Sequence, residues 1–232
     1  MVRVGTSGWH YPAGTGTWNG VFYPARRPRG FDELRYYAEH FDIVEVNSTF
    51  YRMPDAGHVA RWVERTPADF LFAIKLFQKF THPDMYLARA GVTDWSLSLG
   101  DVDTFRAGMG PLAEAGRLAA LLVQFPSSFH AEAATGDYLA WLLQALAGYP
   151  LAVELRHRSW FAPGAGTHAL LAAGAGRKVL AFMNNHFSAK AVANAAVLKS
   201  QLGQAVPGVY EREMVERYPD LRGLVTVPGL PI

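Results

Sequence analysis

The 232-residue chain contains no cysteine. That excludes a disulfide scaffold, a thiolate metal site and a thiol nucleophile, and it fits a reducing compartment. Net charge is nearly absent too: 22 Lys and Arg stand against 20 Asp and Glu, a formal +2. Such a balance makes no electrostatic case for a nucleic-acid partner. The one dense basic cluster, Arg26, Arg27 and Arg29 around Pro28, reads as a solvated loop. No stretch approaches the ~20 apolar residues of a membrane-spanning helix. The opening MVRVGTSGW lacks a charged segment followed by an apolar one, so no secretory signal is read. The expectation is a cytoplasmic protein with no nucleic-acid or membrane partner. Phosphate-loop patterns are missing as well. No G-x-G-x-x-G or G-x-x-x-x-G-K-[ST] opens a helix, which removes support for a nucleotide-type sheet.

What is present is apolar material for a core. Half of the residues are hydrophobic and 13% are aromatic, which argues against bulk disorder. Short apolar runs at Val2–Gly5, Ile43–Val46, Phe70–Leu76, Leu118–Val123, Leu151–Leu155 and Val179–Met183 read as strands. Amphipathic stretches at Asp32–His40, Val59–Arg65, Phe105–Gly116, Asp137–Leu146, His168–Ala173 and Ala191–Leu202 read as helices. Phe80–Leu99 has no clean period and reads as a long connection. Near the C-terminus, Leu224–Val227 reads as a further short strand. Alternating strands and helices imply parallel strands joined by right-handed crossovers. The strand runs are almost continuously apolar, as expected of a sheet buried on both faces. Open doubly wound sheets and closed (β/α) barrels both satisfy the pattern. The expectation is one α/β domain over 1–232, with 204–232 as a tail of unassigned structure.

Polar residues follow each apolar run at its C-terminal end. They are Thr6 and Ser7; Glu45 and Asn47; Lys75; Gln124; Glu154, Arg156 and His157; and Asn184 and Asn185. Parallel strands gather such ends on one rim, where ligand sites lie in both architectures. Side chains two apart share a face, so Glu45 pairs with Asn47 and Glu154 with Arg156. Carboxylates and cations on a buried face are costly unless they pair or meet a ligand. A satisfied polar layer is the plain alternative to a site. Trp9, Tyr11, Trp18, Phe22, Tyr23, Phe50, Tyr51, Trp160 and Phe161 fall just after strands. They suit stacking on a flat or sugar-like ligand, or equally packing beneath long loops. Trp62 and Trp141 sit at helical spacing and read as core.

An ordered series of motifs resembles the YecE-like domain-of-unknown-function family. They are GTSGW (Gly5–Trp9), VFYP (Val21–Pro24), YYAEHFDIVEVNSTFYRMP (Tyr36–Pro54), the Lys75 strand with Thr81-His82, LLVQFP (Leu121–Pro126), AVELRHRSWF (Ala152–Phe161) and FMNNHFSAKAVANA (Phe182–Ala195). The series runs from residue 2 to about residue 203. The resemblance implies a TIM-type (β/α) barrel and names no reaction. One departure stands out. Family members carry two further strand–helix units between the HRSWF and MNNHF stretches, including a strand ending in His-Gly-Arg. Here only about twenty residues separate Phe161 from Phe182, including the Ala-Gly run Ala172–Gly176. About six units are recognisable, so the expected barrel is incomplete or rearranged, and fewer strands force a different tilt and shear.

Three functional readings follow. In the first, a rim pocket binds a polar small molecule, carbohydrate-like or phosphorylated, and acts as a hydrolase. Glu45 and Glu154 form its acid/base pair, with Lys75 tuning them. Trp9, Tyr11, Asn47, Tyr51, His82, Gln124, Arg156, His157, Trp160, Asn184 and Asn185 bind the substrate. In the second, the barrel is non-catalytic or degenerate and keeps only binding. In the third, His82, His157 and His186 join the carboxylates in a metal-dependent hydrolase. The third lacks H-E-x-x-H or H-x-H spacing, and no metal or cofactor is assigned. A barrel short of two units is also a candidate homo-oligomer.

Overall fold

The structure is a computed structural model. It describes residues 2–93, 95–161, 179–183 and 187–228, with the backbone alone at 161, 179–183 and 187. The protein is an α/β fold whose strand pairings are parallel. Among the described residues the strands are β1 (Val2–Ser7), β2 (Ile43–Val46), β3 (Leu71–Lys75), β4 (Leu118–Gln124), β5 (Leu151–Glu154) and β6 (Val179–Met183). Each of the six longer apolar runs expected as strands therefore forms one. The helices are α1 (Glu33–Ala38), α2 (Ser48–Tyr51), α3 (Ala56–Glu64), α4 (Gln78–Thr81), α5 (Pro83–Ala90), α6 (Leu99–Glu114), α7 (Ala133–Ala145), α8 (Lys190–Gln201) and α9 (Arg212–Arg217). No helix among the described residues is long and apolar enough to cross a membrane.

The chain divides into two compact units. The first comprises Met1–Glu45, Trp62–Leu71 and Lys178–Ile232; the second comprises Val46–Arg61 and Phe72–Arg177. In the first unit β1 lies between β6 and β2, in register Val4↔Ala181 and Ser7↔Glu45. Gly5 is required there, because a Cβ would lie 2.0 Å from the Ile43 carbonyl oxygen. Tyr37 closes the packing: its hydroxyl accepts from Thr6 N at 2.8 Å and donates to Ile43 O at 3.1 Å. Helix α1 starts where the sequence predicts. Asp32 caps it by accepting from Leu34 N and Arg35 N, and the same carboxylate takes a two-pronged bond from Arg65 at 2.5 and 2.7 Å. Such a cap contributes about 1 kcal/mol.

The first unit's core is aromatic. Trp18, Phe22 and Tyr23 are fully buried, and Phe22 meets Tyr36, His40 and Tyr210 edge-on or tilted. These three loop aromatics pack inward, so of the two alternatives left open for them the packing one holds. The C-terminal run Leu224–Val227 forms no strand; it contributes a single bridge, Val209↔Thr226.

In the second unit β4 lies between β3 and β5, in register Lys75↔Leu122 and Gln124↔Glu154. The segment expected as a plain connection after Phe80 holds α5 and the start of α6. Pro83 sits at the head of α5, and Gly91 ends it in the left-handed conformation at φ +67°. Ser98 and Asp101 then form a reciprocal capping box that starts α6 earlier than the apolar period suggests. Gly108 inside α6 lets Pro54 approach, since a Cβ there would lie 2.3 Å from the Pro54 carbonyl oxygen. The predicted helix at His168–Ala173 lies outside the described residues.

Candidate functional site

The C-terminal ends of β3, β4 and β5 carry Lys75, Gln124 and Glu154 on one rim of the second unit. Parallel pairing brings Gln124 opposite Glu154, and Gln124 Nε2 donates to Glu154 Oε2 at 2.6 Å. Two residues on, on the same face, Arg156 Nε donates to Glu154 Oε1 at 2.6 Å. Both carboxylate oxygens are thereby engaged. Partial burial would raise the Glu154 pKa, but the bonds from Gln124 and Arg156 and the charges of Arg156 and Lys75 outweigh it and lower the value. Glu154 is therefore an ionised carboxylate at neutral pH.

Lys75 is positioned by its backbone and by an aromatic ring. Thr49 Oγ1 donates to the Lys75 carbonyl at 2.7 Å, and Lys75 Nζ lies 4.5 Å from the Phe50 ring centre. His82 meets the same Phe50 ring edge-on at 4.9 Å. Its Nδ1 lies 2.8 Å from Thr81 Oγ1. Burial, then the charges of Lys75 and Arg156, push the His82 pKa down to about 4. One imidazole thus senses two cations that sequence places on different strands. The second unit gathers Lys75, His82, Gln124, Glu154 and Arg156 into one electrostatic cluster.

The remaining second-unit residues lie differently. Asn47 is half-buried at the head of α2, where its carbonyl accepts from Phe50 N at 3.1 Å. Tyr51 is exposed, with the Arg89 guanidinium 5.4 Å from its ring centre. His157 stacks on His130 at 3.8 Å and bonds Ser159 Oγ through Nδ1 at 2.8 Å. Trp160 was expected to stack on a ligand. It is instead 2% exposed, donates from Nε1 to Phe129 O at 2.7 Å and stacks on the Phe129 ring. Its large apolar surface is already spent on the core.

In the first unit Glu45 is buried at the end of β2, and its carbonyl accepts from Gly8 N at 2.8 Å. The Tyr11 hydroxyl donates to the Ser7 carbonyl. Its pKa is raised by burial first and by the Glu45 charge second. Trp9 packs edge-on against Trp62 at 5.9 Å. Glu45, Trp9 and Tyr11 thus belong to the first unit. Asn184, Asn185 and His186 lie outside the described residues.

Sequence reasoning missed one polar group. Arg27 is exposed in its loop, as expected, yet its guanidinium lies 2.6 Å from Glu33 Oε1 and within 5.5 and 5.2 Å of the Tyr23 and Phe31 ring centres. His10 Nδ1 contacts the other oxygen of Glu33. The available signal was an acidic residue in the first turn of α1 after an aromatic, Arg-containing loop. Two open cavities also lie in this unit. One, of about 370 Å³, is lined by Asp32, Arg35, Tyr36 and Glu39; the other, of about 520 Å³, by Thr15, Thr17, Asn19, Ser188, Glu213 and Arg217, among others. Among the described residues no three His, Asp or Glu side chains stand together as a metal-binding group.

The chain is similar to known proteins. The chain is 29% identical over 163 residues to UPF0759 protein YunF of Bacillus subtilis, covering 70% of this chain and 53% of that protein. It is 30% identical over 165 residues to UPF0759 protein YecE of Escherichia coli, covering 71% and 52%. The chain thus spans about half the length of the curated relatives it matches. A crystal structure of a DUF72 family protein from Thermotoga maritima superposes with a TM-score of 0.59 at 26% identity, covering 98% of this chain and 90% of that one. A DUF72 family protein from Enterococcus faecalis superposes with a TM-score of 0.58 at 25% identity, covering 73% and 56%. The family model described as "Protein of unknown function DUF72" matches residues 3–174, and the chain belongs to that family.

Proposed function

We propose that this protein binds a small, polar, anionic molecule, carbohydrate-like or phosphorylated, at the C-terminal ends of β3–β5. The observation carrying this reading is geometric: Lys75 and His82 share the Phe50 ring, and Arg156 and Gln124 hold Glu154 on the same rim. Two cations face one carboxylate, Glu154, whose oxygens already accept from Gln124 and Arg156. Arginine and lysine are suited to carboxylate or phosphate recognition, so an anionic ligand group matches the two cations here. Neutral His82 and Gln124 add hydrogen bonds. In this reading the protein works in the cytoplasm, within a TIM-type barrel, on a metabolite rather than on nucleic acid or membrane.

The hydrolase reading takes second place on a specific ground. A carboxylate with both oxygens held is a positioning and charge-balancing group before it is a proton carrier. Glu154 serves as a base once ligand binding draws Arg156 away. Turnover assays on a hydrolase panel with Glu45→Gln and Glu154→Gln test it; undiminished turnover of a found substrate by both variants removes it.

Binding is tested by thermal shift and calorimetry with inorganic phosphate, sugar phosphates and the matching neutral sugars. A ligand at 100 times its Kd stabilises by about 2.7 kcal/mol. The expected result is stabilisation by an anionic member alone, with affinity reduced about tenfold or more in Lys75→Met and Arg156→Gln. Equal response to charged and neutral sugars, or unchanged affinity in both variants, would defeat the proposal.

A further inference from the structure

Two histidines outside the charged cluster hold neighbouring loops of the second unit together. His130 lies in the connection from β4 to α7, and His157 in the turn after β5. Their rings stack with centres 3.8 Å apart and planes 26° apart. His130 is exposed and His157 half-buried. A chain of hydrogen bonds runs beside the stack. Ala131 N donates to Ser159 Oγ at 2.7 Å, and Ser159 Oγ lies 2.8 Å from His157 Nδ1. Ser159 N donates to the same nitrogen at 3.2 Å. A backbone amide can only donate, so Nδ1 carries the lone pair and neutral His157 is the Nε2–H tautomer. The Ser159 hydroxyl, accepting from Ala131, turns its own proton to Nδ1.

These contacts depend on neutral rings. A proton on Nδ1 turns that atom from acceptor to donor, and the Ser159 amide loses its partner. When His130 also takes a proton, two cations face each other across the stack. The charged and titratable groups acting on His157 are His130, from the facing connection, and Arg158, its neighbour in the chain. Glu154, at the end of β5, is held by Gln124 and Arg156. Glu132, in the connection that carries His130, heads α7, where its amide donates to Thr135 Oγ1 at 2.9 Å. Desolvation first, then His130 and Arg158, hold the His157 pKa below its ordinary 6.5. A histidine lowered in this way supports the fold above its ordinary value and loses that support as pH falls.

We propose that the His130–His157 stack is a proton-operated latch between the β4–α7 connection and the turn after β5, closed while both rings are neutral and released when both are protonated. Trp160, donating to Phe129 O and stacked on the Phe129 ring, joins the same two segments without a titratable group and is the hinge about which they part. Arg156 directly precedes His157, so release loosens one side of the charged rim. The latch needs no ligand and stands independently of anion binding.

NMR on the full chain tests this. Long-range ¹H–¹⁵N spectra at about pH 8 are expected to show His157 as the Nε2–H tautomer. Acidification to about pH 5 spans the range over which histidine changes charge. Over it, hydrogen-exchange protection of the Ala131 and Ser159 amides is expected to fall about tenfold. The Leu121 amide, bonded to Pro150 O within the sheet, is expected to keep its protection, which verifies the fold in every variant. In His130→Gln the His157 midpoint is expected to rise; in His157→Gln the loss of protection is expected to vanish. An Nδ1–H tautomer for His157, a midpoint unmoved in His130→Gln, or an equal loss of protection in His157→Gln overturns the proposal.

Discussion

The strand ends of the two units are finished by opposite means. Along β1 the first unit uses close packing and neutral hydroxyls: Gly5 beneath a carbonyl, Tyr37 bridging Thr6 and Ile43, Tyr11 bonded to Ser7. At the ends of β3 to β5 the second unit uses charge: Lys75, Glu154 and Arg156 around a neutral histidine. A hydroxyl that reaches a carbonyl seals a rim, because both partners are satisfied by each other. A rim built of two cations around one carboxylate suits an incoming anion. The same parallel-strand pattern thus yields a closed end in one unit and a receptive one in the other.

That contrast is broken most severely by filling the glycine contacts. Gly5→Ala in the first unit and Gly108→Ala in the second each drive a Cβ against a rigid carbonyl oxygen, at 2.0 and 2.3 Å. Each is expected to cost ~3 kcal/mol or more, with Gly5→Ala the worse, measured by urea denaturation. Tyr37→Phe comes next. It leaves the buried Ile43 carbonyl and Thr6 amide without that hydroxyl, and a loss of ~1–3 kcal/mol is expected by the same measurement. The smallest effect falls on the charged rim. His82 is expected to titrate near pH 4 by NMR, below its ordinary 6.5. Its depressed value means the unfolded chain takes up a proton first, so stability is constant above pH 6.5 and declines as pH falls toward 4. Because His82 is half-exposed, solvent screening holds its share to about 1 kcal/mol. Lys75→Met is expected to raise the His82 midpoint, and Arg156→Gln to raise it less. A midpoint that stays put in both would dissolve the electrostatic cluster and with it the contrast between the rims.

Much of the fold is legible in the sequence. The strand runs end in polar residues, and Asp32 announces α1 because a short acceptor side chain meets free amides at a helix start. The segment after Phe80 was illegible by period alone, since α5 is short and has no buried residue. Its signals were local: Pro83 at the start, Gly91 at the end, and the Ser98–Asp101 box. Period two puts Glu154 and Arg156 on one face, and the register of β4 with β5 brings Gln124 to the same carboxylate. Trp160 was misjudged because an aromatic after a strand looks the same in sequence whether its ring faces a ligand or Phe129. The pairing of Arg27 with Glu33 was not legible, because that partner comes within reach only once the loop folds onto α1.

By itself the sequence determined the absence of thiol chemistry, the near-neutral charge, the parallel α/β class and the polar character of every strand end. These depend on composition and on nearest-neighbour periodicity, which survive without coordinates. The tertiary structure alone decided which polar ends are sealed and which are charged, which aromatics are core, and that His10 leans on Glu33. Those outcomes depend on distances between residues far apart in the chain, where a few ångströms separate a satisfied pair from a receptive site.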